Sequence, residues 1–201
     1  MTITRRLALA ALCALAAAPA SGQAPARLRI RGIVEKLEGA TLTVKGADGA
    51  LQTVLLAENA AVSALEKATP ADIKPGLFIG AGALPQADGT LKAVQVTIFP
   101  ESLRGAGEGH RAWDVLPEST MTNANISEAV GGVDGATLTL AYKGGEKKLV
   151  LAPDTRILKL VPAQASEVRP GVEVSLFAEK TADGSLKAAR ITLSRGGAAS
   201  M

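Results

Sequence analysis

Side chains with chemical capacity are scarce in this chain, and five of them crowd into one short run: Glu108, His110, Arg111, Trp113 and Asp114. His110 is the sole histidine and Trp113 the sole tryptophan. An imidazole between carboxylates suggests a divalent-metal site from Glu108, His110 and Asp114, although zinc usually draws on several nitrogen or sulfur ligands. No other cofactor is implied. Tryptophan and arginine are common interface anchors, so Trp113, Arg111 and His110 also form a candidate contact for a protein or small ligand. A hydrolase reading would pair His110 and Asp114 with Ser102 or Ser119, but neither serine sits in a G-x-S-x-G elbow. The plainest reading gives Trp113 a structural task, wedged between two domains with Arg111 and Asp114 pairing at the rim.

The elements that must position this run come in two copies. Gly39-Ala40-Thr41-Leu42-Thr43 returns as Gly135-Ala136-Thr137-Leu138-Thr139, Pro75-Gly76 as Pro170-Gly171, and Ala87-Asp88-Gly89-Thr90-Leu91-Lys92-Ala93 as Ala182-Asp183-Gly184-Ser185-Leu186-Lys187-Ala188. Three blocks in nearly constant register mark an internal duplication. Residues 27–99 and 123–195 are the copies, and 100–122 is the stretch without a counterpart. Residues 196–201 are expected to be a flexible tail.

Within each copy, polar and apolar residues alternate over short runs, as in Thr41-Leu42-Thr43-Val44-Lys45, which is the pattern of half-buried strands. Asp48-Gly49, Asp88-Gly89 and Asp183-Gly184 supply tight hairpin turns, a better account than calcium ligation because the acidic spacing of a calcium loop is missing. Thr69-Pro70-Ala71-Asp72 combines a cap, a proline at the first helical position and an early acid, predicting a short helical turn. Ser166-Glu167-Val168 is its counterpart. The predicted fold is all-β: two tandem small five-stranded barrels, OB-like, with an SH3-like barrel or a β-sandwich as alternatives. Phe78 and Phe177 are expected in the cores, and in the last strand of the first copy Lys92, Val94, Val96 and Ile98 form the better core face.

The first residues predict export. Arg5 and Arg6 precede an apolar run, Leu7 to Ala18, and Ala18-Pro19-Ala20 offers small residues for cleavage before residue 24. A signal peptide over 1–24, of Sec type rather than twin-arginine, would leave a periplasmic or secreted chain without Cys13, its only cysteine. No later segment is apolar enough to span a bilayer as a helix. Without Arg5 and Arg6 the charges nearly balance, and aromatics are few, which argues against a nucleic-acid partner.

The blocks Ile33-Val34-Glu35-Lys36-Leu37, Asp72-Ile73-Lys74-Pro75-Gly76 and Ala87-Asp88-Gly89-Thr90-Leu91, with the middle run from Arg104 to Asp114, resemble exported bacterial proteins carrying the domain of unknown function 5666. The resemblance extends over the whole chain after the signal. It implies small β-barrel modules outside the cytoplasm and carries no activity. The expected function is therefore a non-enzymatic exported binding or interaction module, with a periplasmic metal-binding accessory protein as the alternative and a hydrolase as the remaining one.

Overall fold

The computed structural model describes residues 27–132 and 135–198. The expected signal segment and the last three residues of the expected tail lie outside them. The described chain is all-β, with strands β1 (Arg27–Glu38), β2 (Thr41–Lys45), β3 (Leu51–Lys67), β4 (Phe78–Pro85), β5 (Leu91–Ile98), β6 (Gly109–Ala112), β7 (Thr120–Gly132), β8 (Gly135–Tyr142), β9 (Gly145–Val150), β10 (Arg156–Pro162), β11 (Glu173–Lys180) and β12 (Leu186–Ser194). Single 3₁₀ turns interrupt them at Pro70–Asp72, Glu101–Leu103 and Ala165–Glu167.

The local signals act as their chemistry dictates. Asp88 Oδ1 accepts from the Thr90 N–H at 2.9 Å, while Gly89 takes a φ of +83° that a side chain would resist. Asp72 Oδ2 accepts from both the backbone N–H and the hydroxyl of Thr69 at 2.8 Å, closing the turn predicted there.

Five strands close a barrel. β1 pairs β2, β2 pairs β3, β3 pairs β12, β12 pairs β11, and β11 returns to β1. Only β3–β12 is parallel. The remaining strands continue the sheet through β10 and β5 to β4, β7, β8 and β9, and β9 comes back to β5 at Leu91↔Leu149 and Lys92↔Val150.

The closed barrel departs from the expectation that each copy closes on its own strands. It takes β1, β2 and β3 from the first copy and β11 and β12 from the second. The first copy's final hairpin, β4–β5, pairs instead with β7 of the second. The reason lies in the duplication. Both copies carry the same pattern of apolar and polar positions, so either final hairpin fits either set of first strands. β3 stays extended to Lys67 and delivers the next hairpin across the molecule. The Pro-Gly turns then dock reciprocally: the Gly76 N–H donates to Ile126 O and the Gly171 N–H to Val34 O, both at 2.8 Å.

Each hydrophobic core is consequently shared. One joins Ile30, Val34, Leu42 and Val44 to Val174, Leu176, Ile191 and Leu193; the other joins Ile79, Leu91 and Val96 to Ile126, Leu138, Leu140 and Leu149. Between them β3 and β10 run antiparallel, and Leu65 pairs directly with Leu160. These two leucines are equivalent positions of the repeat, so this pair marks a pseudo-two-fold axis.

Two strands go beyond the elements expected above, since β3 runs on as far as Lys67 and β10 fills Arg156–Pro162. Three further expectations need correction. A register shift between Gly82 and Ala83 leaves Val94 of β5 unpaired as a bulge. It reverses the side-chain phase, burying Leu91 and Ala93 before it and Val96 after it. Phe78 is in the interior, but Phe177 points outward and is 50% exposed. The tail is not free as far as Ala198, which is buried against Leu65 and Leu158.

Candidate functional site

The unrepeated segment is a strap tied along β7. Arg104 donates to Asn125 Oδ1, to Gly76 O at 2.9 Å and to the Glu101 carboxylate. Asn123 Nδ2 donates to Ala106 O at 2.9 Å. β6 then adds to the edge of β7, pairing Gly109 with Asn123 and Ala112 with Thr120.

The strap separates the residues that looked like one cluster. The Glu108 carboxylate accepts the Lys143 backbone N–H at 2.9 Å. His110 bonds Thr122 Oγ1 through Nδ1 at 2.8 Å and stacks on Tyr142 with ring centroids 6.5 Å apart. Burial, reinforced by Lys147, pushes its imidazole below the ordinary value. Arg111 donates to Gly107 O at 2.9 Å and is otherwise exposed. Asp114 reaches the other half of the molecule, accepting from Arg29 Nη1 at 3.3 Å. Among the described residues no three His, Cys, Asp or Glu side chains gather as a metal cluster. Ser119 is buried, with its hydroxyl donating to Leu116 O at 2.6 Å, and Ser102 lies exposed in the 3₁₀ turn at Glu101–Leu103. Neither hydroxyl has an activating imidazole among its hydrogen-bond partners.

Trp113 is the anchor of the strap. It is only 9% exposed, and its ring lies flat over Gly82 of β4. A Cβ on Gly82 would stand 2.3 Å from Trp113 Cζ3, so only glycine admits the indole. The repeat-equivalent of Gly82 is Phe177. One half therefore carries its own aromatic ring on the outer face, and the other borrows Trp113 from the strap.

Beside this anchor a groove of about 180 Å³ crosses the pseudo-two-fold axis. Leu65 and Leu160 form its floor, with Phe99 and Met121 on one side and Arg29 and Phe177 on the other. The Arg29 guanidinium sits 5.0 Å from the Phe177 ring centroid, a cation–π contact. Arg31 lies two residues along β1 on the same outward face, since Ile30 between them belongs to the core. Arg29 Nε, Arg31 Nε and Arg31 Nη2 are buried without a hydrogen-bond acceptor. Burial and the neighbouring Arg29 hold the Arg31 guanidinium below its ordinary value, against opposing effects of Asp114 and Glu173.

Sequence reasoning did not single out Arg29, Arg31, Met121 or Leu160. A signal for the arginines was present: Arg27, Arg29 and Arg31 alternate with Leu28 and Ile30, which places them on one face of a strand. What faces them depends on how the two halves meet. The chain matches no family model, no curated protein and no solved structure.

Proposed function

We propose that the chain is an exported, non-enzymatic binding module and that its ligand surface is the groove on the pseudo-two-fold axis. The fold behind this reading is a pair of OB-like five-stranded barrels that exchange their last hairpins. In each copy's own strand order, the closed ring runs 1-2-3-5-4 and returns to 1, with strands 3 and 5 parallel, and β7–β8–β9–β5–β4 repeats that order. A five-stranded Greek-key barrel of this kind commonly serves as a binding scaffold. The leader-like first residues and the resemblance of the middle run to exported proteins support the compartment.

One observation carries the assignment: a groove lined from both copies leaves Phe177 half exposed beside Phe99, Met121 and Leu160, while Asp114 of the strap contacts Arg29 at one rim. Its volume suits a small molecule or a single side chain better than a drug-sized ligand. The metal alternative has less support, because Glu108, His110 and Asp114 each engage a different partner. The hydrolase reading has less again, with Ser119 Oγ held by a carbonyl.

Benzyl alcohol, small, neutral and aromatic, is a suitable probe. Its titration should shift the backbone amides of Phe99, Phe177 and Thr192, all on the lining, in a saturable manner, and Thr97→Phe, at another lining position, should fill the groove and abolish the shifts while the far-UV circular dichroism stays that of the wild type. Equal shifts in the filled variant, or none in the wild type, would refute the assignment.

A further inference from the structure

Three places stand out among the described residues for the side chains they offer a ligand. The larger cleft, about 450 Å³ and bordered by Glu167, Arg169, Val172, Leu193 and Arg195, has one exposed arginine, Arg169, and one already committed, Arg195. Arg195 donates to Glu167 at 2.7 Å and to Glu66 at 2.8 Å, so few of its donors remain. The His110–Tyr142 stack is likewise closed by Thr122. The Arg29 end of the axial groove, with Arg31 next to it on β1 opposite the lining residue Ser175, differs in having buried donors that meet no acceptor.

We infer that this end of the groove is an anion subsite, and that the ligand carries a carboxylate or phosphate joined to an apolar, preferably aromatic, body. The inference rests on the groove reading given above and adds the chemical class. Buried N–H groups of a guanidinium without acceptors are unfavourable, and an oxyanion satisfies several of them at once in the planar geometry arginine presents. Arg31 has Nε and Nη2 in that condition, and Arg29 has Nε. The opposing charges are limited. Asp114 contacts Arg29 through one oxygen at 3.3 Å and is 76% exposed at its side chain, so it is screened and displaceable. Glu173, near Arg31 on the neighbouring strand, is exposed. Beyond the guanidiniums, Phe177 continues the surface with an exposed ring, and Met121 and Leu160 lie past it. A ligand with its charged end at Arg29 and Arg31 therefore lays its body over Phe177.

The test compares benzoate, phenyl phosphate and benzyl alcohol on the same protein, following the amides of Arg29, Arg31 and Phe177. At least one anion is expected to bind about tenfold more tightly than the alcohol, the increment one charge-assisted hydrogen-bonded group provides. The preferred anion separates a carboxylate ligand from a phosphate one. Arg31→Gln should remove that advantage while leaving the alcohol's affinity and the melting temperature in place, and Asp114→Asn should strengthen anion binding by removing the competing carboxylate. If alcohol and anions bind equally and Arg31→Gln changes nothing, the anion subsite is refuted and the groove stands. If none of the three shifts groove amides, the groove reading falls with it.

Discussion

Replacing Gly82 with alanine is the sharpest test of how the strap is held. In most strands that change is mildly favourable, worth roughly 0.4–1 kcal/mol through the unfolded chain. Here the new Cβ would lie 2.3, 2.6 and 2.8 Å from Cζ3, Cη2 and Cε3 of Trp113. Strand β4 cannot retreat, because it is paired on both sides, with Gln95 of β5 and Met121 of β7 at this position. The indole must move instead. Overpacking of this kind costs about 1–3 kcal/mol, limited above by the value of seating Trp113 at all. That value follows from a side chain 9% exposed. Tryptophan truncation in an interior costs about 3–5 kcal/mol, and loss of the unsatisfied Nε1–H returns about 1 kcal/mol or more. Trp113→Ala should therefore destabilise by about 2–4 kcal/mol. In that background the clash is gone, and Gly82→Ala should turn neutral or slightly stabilising. Urea unfolding followed by circular dichroism on the four proteins of the cycle measures the coupling, expected near 2–3 kcal/mol. Trp113 is the only tryptophan, so its emission should shift to the red in Gly82→Ala alone. Equal effects of Gly82→Ala in both backgrounds, with unchanged emission, would refute the packing argument.

Other outcomes follow from the shared cores and from the carboxylates. A protease site placed at Leu116-Pro117 and cut should leave the two fragments co-eluting in native buffer and separating only in denaturant, because each core contains both copies; two independently folded fragments would contradict the exchange. Thr181 and Ser185 hold Asp183 down to about 2, and hydrogen bonds to Thr69 and Thr90 lower Asp72 and Asp88. Depressed carboxyls lend stability above their unfolded values that is lost as pH falls through the folded ones, so the melting temperature should drop steeply only below about pH 4. His110, also depressed, should add a shallower decline beginning near pH 6.5, where the unfolded chain takes up its proton first. Scanning His110→Gln over the same range should show that early slope removed and the acid transition retained.

Much of the local structure was legible because its causes are local. Hairpin turns at Asp48-Gly49, Asp88-Gly89 and Asp183-Gly184, the Thr69–Asp72 turn and the alternation of Thr41 to Lys45 each depend on a few neighbouring residues, and the duplication isolated the segment that became the strap. Tryptophan in that segment was expected to wedge between two domains, and Trp113 lies buried over Gly82 of β4. Its seat was half visible, as a glycine at position 82 where the other copy has phenylalanine. Strand partnership was decided elsewhere. Equivalent hairpins present equivalent patterns, so pairing β4–β5 with β7 or with β1 satisfies the same alternation, and only the path of β3 and its antiparallel contact with β10 select the exchange. The phase of β5 depended on a bulge that has no residue signature, whereas Phe177 faces outward because strand alternation buries Leu176 and Ala178 on either side of it. Arg29 and Arg31 were readable as one face of a strand. That this face borders an apolar groove between two halves is a property of the tertiary structure, because the groove exists only where Leu65 meets Leu160 on the axis.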